Sequence, residues 1–180
     1  NANMNGQYRV GGLVGCTDAN STIENCYSTG SLSGSNFVGG LVGNNRYSTV
    51  NKCYSTGNAT GTYEIGGLVG ENAYSTVSNC YSMGSANGSW STGGLVGYNY
   101  SSTVNKSYST GSVIGGTYTG GLLGHTNDNS NVSNSFWDTE ASGQSTSSGG
   151  TGKTTTEMKT NSTFLNAGWN PQIWKMGDGI

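Results

Sequence analysis

Charge is scarce in this chain: Asp, Glu, Lys and Arg make up 9 % of 180 residues, and the net charge is −2. The seven basic residues are scattered from Arg9 to Lys175, which excludes the electrostatic footprint of a nucleic-acid or anionic-membrane binder. Long apolar runs are also missing. None nears the ~20 residues that cross a bilayer, so no membrane insertion is expected. Pro171 is the only proline and His125 the only histidine. No Cys-x-x-Cys pair or nearby histidine supplies a ligand set, so neither a metal nor a cofactor is expected. A leader is not visible either. The chain opens at Asn1 with no initiator methionine, and reads as a processed protein or a piece of a longer one.

What is present is glycine, at 32 residues, with Ser, Thr and Asn filling much of the rest. That composition alone would argue for disorder. Eleven tyrosines, four tryptophans and a strict period argue for a packed repeat array instead. Gly-Gly-Leu-Val-Gly begins at Gly11, Gly39, Gly66 and Gly93, and Gly-Gly-Leu-Leu-Gly at Gly120, in steps of 28, 27, 27 and 27 residues. A second block keeps the beat: Asn25-Cys26-Tyr27-Ser28, Lys52-Cys53-Tyr54-Ser55, Asn79-Cys80-Tyr81-Ser82, Lys106-Ser107-Tyr108-Ser109 and Asn134-Ser135-Phe136-Trp137. Ahead of each stands one β-branched residue, from Ile23 through Val50, Val77 and Val104 to Val132.

Each unit holds three short apolar segments bounded by turn residues, which read as strands; none has helical spacing over ten or more residues. The expected fold is an all-β parallel β-solenoid (β-helix) of about five 27-residue, three-strand coils, right-handed like most parallel crossovers. Glycine is expected at the corners, where φ turns positive, and at Gly-Gly, where backbones approach closely. Leu13, Leu41, Leu68, Leu95 and Leu122 form one interior column. Since Lys52 and Lys106 share a slot with Asn25 and Asn79, that slot faces solvent. Alternation then points Cys26, Cys53 and Cys80 inward and Tyr27, Tyr54, Tyr81 and Tyr108 outward. Val50 and Cys53 cannot both point inward on a regular strand, so a bend is expected between them.

These blocks resemble the GLUG motif family, named for its Gly-Leu-Val-Gly-like core. The likeness covers roughly residues 8–138, and the Phe136-Trp137-Asp138 to Trp169 stretch resembles the segment that often follows such arrays. The resemblance implies a secreted or cell-surface bacterial or archaeal repeat protein, with no catalytic motif to carry over. Three parts are expected: solenoid repeats over 1–138, a Gly/Ser/Thr-rich linker over 139–155, and an aromatic capping or docking segment over 156–180. That last part holds a short helix near Thr156–Lys159, with Phe164, Trp169 and Trp174.

The residues give little chemistry. Gly152-Lys153-Thr154 lacks the strand–loop–helix context and leading glycine of a phosphate loop. The nine acids hardly share a slot, and only Glu64 with Glu71, and Asp138 with Glu140, come close enough to check against paired-carboxylate hydrolysis. His125 sits in a slot that varies freely (Cys16, Asn44, Glu71, Tyr98), and reads as exposed without function. The cysteines read as a ladder of buried thiols, with one bridge from Cys16 as the alternative. The protein is therefore expected not to be an enzyme. It reads as an extracellular structural or adhesive module whose surface contacts are the tyrosine ladder Tyr27, Tyr54, Tyr81 and Tyr108 with Tyr47 and Tyr74. Its partners would be environmental or host surface glycans or proteins. Two alternatives stand: a filament subunit stacking head to tail on itself, and a polysaccharide-binding or polysaccharide-active β-helix.

Overall fold

The computed structural model describes residues 3–127 and 129–174. It is a parallel β-solenoid of about five turns. In the second coil the strands are Asn36–Gly39, Val42–Arg46, Thr49–Asn51, Tyr54–Ser55 and Ala59–Thr60. Each pairs in parallel with its equivalents one coil away, so that Tyr27, Tyr54, Tyr81 and Tyr108 are direct register partners. Among the described residues this makes five sheets, four of five strands and one of six.

Five short strands per coil replace the three read from the sequence. The reason lies at the corners. Asn25, Lys52, Asn79, Lys106 and Asn134 all have φ between 47° and 55°, which folds one expected segment into two strands and lets Val50 and Cys53 both point inward. The expected bend is there. A further corner, through Tyr47, Tyr74 and Ser101, breaks the chain in the same way, while Arg9, Phe37, Glu64, Ser91 and Tyr118 bend a single strand whose residues on either side stay in register. These left-handed positions cost of order 1–2 kcal/mol each for a residue with a Cβ. Backbone bonds to the next coil offset the strain: Lys52 N–H donates to Ser78 O at 3.1 Å and Tyr47 N–H to Ala73 O at 3.1 Å.

Glycine does not occupy these corners, contrary to expectation. Among the described residues, positive φ at glycine occurs only at Gly143, Gly150 and Gly168, beyond the repeats. The repeat glycines serve close approach instead. A Cβ on Gly40 would lie 2.1 Å from Gly67 O and 2.2 Å from Ser55 Oγ; one on Gly39 would lie 2.0 Å from Val42 O. A Cβ on Gly70 would meet the Phe37 carbonyl carbon at 2.6 Å. The two glycines before Leu thus draw opposite walls of the coil together. The one after Val seats the neighbouring corner.

That pinch divides the interior into two apolar clusters. The larger holds Leu41, Leu68, Leu95 and Leu122, the valines at 50, 77 and 104, and Cys53 and Cys80; the smaller holds Val38, Ile65, Leu32, Ala59 and Ala86. Leu13, expected in the first column, is 49 % exposed, because no described coil lies beneath the first one to cover it. Cys26 is only half-buried for the same reason.

The segment read as a linker is built into the solenoid. Asp138 caps helix α1 (Thr139–Ser142), and Thr151–Lys153 adds a strand in register with Phe136–Asp138. Ser147 Oγ accepts from the amides of Leu122 and Leu123 at 3.3 and 2.9 Å, and Trp137 fills the slot of the smaller Ser109, lying against Gly121. Residues 137–153 therefore close the C-terminal end of the coil stack. Helix α2 (Thr155–Met158) begins at a capping box of Thr154 and Glu157, one residue from the expected position, and α3 (Asn161–Leu165) follows.

Candidate functional site

Because equivalent residues stack at the ~4.8 Å strand spacing, any outward aromatic slot becomes a column of rings. Tyr27, Tyr54, Tyr81 and Tyr108 stack with centroids 5.1, 4.8 and 5.1 Å apart and ring planes within 7°. Tyr47 and Tyr74 stack at 5.0 Å, with the Arg46 guanidinium 5.2 Å from the Tyr47 centroid. A shallow groove of about 240 Å³ runs beside this pair, lined by Tyr47, Tyr74, Ser48, Thr49, Ser75 and Thr76.

The long ladder is open only at its N-terminal end. Phe164, Trp169 and Trp174 do not cap the last coil. They dock on the side of the ladder, with centroids 6.2, 6.1 and 5.7 Å from Tyr108, and Trp174 reaches 6.0 Å from Tyr81. Trp169 is 3 % exposed and its Nε1–H donates to Asn134 O at 2.9 Å. Burial under this segment pushes the Tyr108 phenol far above its ordinary value and raises Tyr81 as well. Tyr27, by contrast, is 61 % exposed. The two groups of aromatic residues named from the sequence thus meet, and all three of the C-terminal group cover the Tyr81–Tyr108 half of the long ladder.

The cysteines are four free thiols. The column is more than apolar filling: Cys53 Sγ and Cys80 Sγ accept the amides of Cys26 and Cys53, each at 3.4 Å, and Ser107 Oγ takes over that role for Cys80 N at 3.1 Å. Burial, then the hydrogen bond with Cys53, keeps the Cys80 thiol well above its ordinary value. Lys153 Nζ pairs with Glu157 at 3.1 Å, and Asp138 is committed to capping α1 and to Thr155 Oγ1. Asp128 and Asp178 lie outside the described residues.

Two features are not legible in the sequence. Asn45, Asn72 and Asn99 form a fully buried ladder, each Nδ2 donating to the next Oδ1 at 2.8 Å, with Thr17 Oγ1 donating to Asn45 at 2.9 Å. The second is a pair of adjacent columns. The slot after Gly-Gly-Leu-Val-Gly carries Cys16, Asn44, Glu71, Tyr98 and His125 in register, and the left-handed corner through Arg9 and Tyr118 lies beside it over the third glycine. There Asn44 Nδ2 donates to Glu71 Oε2 at 2.6 Å. His125 is not isolated: its ring lies 5.1 Å from that of Tyr98 and 4.3 Å from that of Tyr118. Burial, reinforced by the Glu71 charge, lifts the Glu64 carboxyl to about 7. Burial also raises Glu71, against the pull of Asn44 and of the Arg46 and Arg9 charges. Both columns show in the sequence as slots that break the repeat; their adjacency does not.

Fold and surface together define a structural repeat module: a parallel β-solenoid closed at one end, with ordered files of side chains along its faces. The family model of the GLUG motif matches residues 6–33, 61–87 and 88–114. These three stretches of the chain carry the GLUG motif. The coil at 34–60, between the matched stretches, has the same five strands in the same register, and the one at 115–138, beyond them, has four of the five. No curated protein matches the chain. No helix among the described residues is long and apolar enough to cross a membrane.

Proposed function

We propose that the chain is a non-catalytic structural and adhesive module of an extracellular surface protein. The observation that carries this reading is the open part of the aromatic files: Tyr27, Tyr47 and Tyr74 are 61, 44 and 46 % exposed, yet held in fixed stacks by the backbone register. Rigid aromatic rings edged by hydroxyl groups suit contact with glycans or proteins at low entropic cost. Interior columns, by contrast, are accounted for by packing. The test has two arms. Intact producing cells are treated with a protease that cannot enter them, and release of peptides from this chain is expected; retention until lysis would end the extracellular reading. Beads coated with the purified chain should adhere to glycan- or protein-coated surfaces, and a Y27S/Y47S/Y54S/Y74S variant should lose most of that adhesion.

Head-to-tail stacking into a filament is the competing reading. It needs two bare coil ends, and residues 137–153 lie across one of them. That cover weighs for the module.

A further inference from the structure

Most outward files vary from coil to coil, so variation alone marks no site. The paired columns that hold Glu64 and Glu71 stand apart by what they assemble. Their middle and upper coils bring together groups of one complementary kind: the Glu64 and Glu71 carboxyls, the Asn44 amide, and the rings of Tyr98, Tyr118 and His125. Asn44 is 4 % exposed, and with Nδ2 spent on Glu71 its Oδ1 has no partner among the described residues. A buried acceptor left unpaired costs about 1–3 kcal/mol.

We propose that this face binds an uncharged oligosaccharide laid along the solenoid axis, its hydroxyls donating to Glu71 and Glu64 and its ring faces resting on Tyr98 and Tyr118. Acceptors on one coil with aromatic rings on the two coils that follow match the hydroxyl edge and C–H face of successive sugar units. The carboxyls repel an anionic polymer, while Arg46 and Arg9, which act on Glu71, oppose a cationic one. Near neutral pH the raised Glu64 is partly protonated, so it donates as well as accepts. The proposal deepens the adhesive reading by adding a specific contact, and rests on that reading only for the setting.

The experiment is calorimetric titration of the purified chain with neutral oligosaccharides of glucose, mannose, xylose and N-acetylglucosamine, and separately with calcium chloride. At least one sugar should bind, with Tyr98→Ala and Glu71→Ala each weakening it about tenfold or more. Met83→Thr, on a different file, should leave it unchanged. Thermal melts establish that each variant is folded, and Tyr98→Phe should retain most of the affinity. Three results would overturn the proposal: no sugar binds the folded chain, calcium binds and sugars do not, or sugar binding survives Tyr98→Ala and Glu71→Ala. Sugar binding lost only in Tyr27→Ser would also overturn it, while leaving the adhesive reading standing.

Discussion

At the scale of single residues, the buried amides matter most. Asn72 both donates and accepts within its ladder, so Asn72→Ala leaves Asn45 Nδ2 and Asn99 Oδ1 without partners. A loss of roughly 2–4 kcal/mol is expected, by the cost of unsatisfied buried groups, and urea denaturation measures it. Glu64 predicts a pH dependence. Its folded pKa, about 7, is raised above the unfolded value, so the folded state holds the extra proton between about 4.5 and 7. The stability contributed by this group is full below the unfolded pKa and is lost as pH rises through 7. Glu64→Gln should flatten the denaturation midpoint across that window, and an unchanged slope would refute the assignment. The sequence shows Glu64 and Glu71 flanking one block but not their environment. Nothing in residue order says that the corner at Glu64 folds back over Gly97, a glycine of the next coil. The asparagine ladder is hidden for a related reason. Asn two residues after a Gly-rich block reads locally as turn chemistry, and only stacking one coil on another turns it into a buried column.

At the scale of the coil, the period, the leucine column and the inward cysteines are all legible, since alternation and a fixed step determine them. Strand number is not, because left-handed corners at residues such as Lys52 and Tyr74 carry no compositional mark. The conflict between Val50 and Cys53 is the one local clue. Glycine has a different use from the one its composition suggests, since the missing Cβ is needed where walls meet and not where φ is positive. Gly67→Ala would place a methyl 2.2 Å from Gly94 O and 2.3 Å from Ser82 Oγ, and overpacking against backbone is expected to cost about 3 kcal/mol or more. Thr60→Ala, exposed in the same sheet stack, should shift stability by less than about 0.5 kcal/mol. Thermal denaturation of the pair separates the two expectations; equal melting points would mean that the pinch is not structural.

At the scale of the molecule, the C-terminal segment is legible as aromatic but not as a side cover, because docking depends on where the last coil leaves the chain. Removing residues 156–180 should uncover Tyr81 and Tyr108. Spectrophotometric titration would then show the Tyr108 phenol, held far above its ordinary value by burial, ionising with the exposed tyrosines. If it stays high, the cover is not what shields it. Removing residues 139–180 should go further and bare the edges that Thr151–Lys153 and Ser147 now occupy. Concentration-dependent growth in light scattering is expected, as unpaired edges recruit one another.

The parallel register has a mechanical side. Every coil is joined to the next by backbone bonds lying along the stack, so tension between the chain ends loads them one row at a time, as in opening a zip, and not all together in shear. A freed coil of 27 residues would extend to roughly 90–97 Å at full stretch, against the ~4.8 Å it occupied. Pulled in a force microscope, the array should yield in evenly spaced, low-force steps after the aromatic strap and end cover detach. Such a chain behaves as a shock absorber: it stiffly presents its faces at rest and lengthens by whole coils under drag without parting its ends.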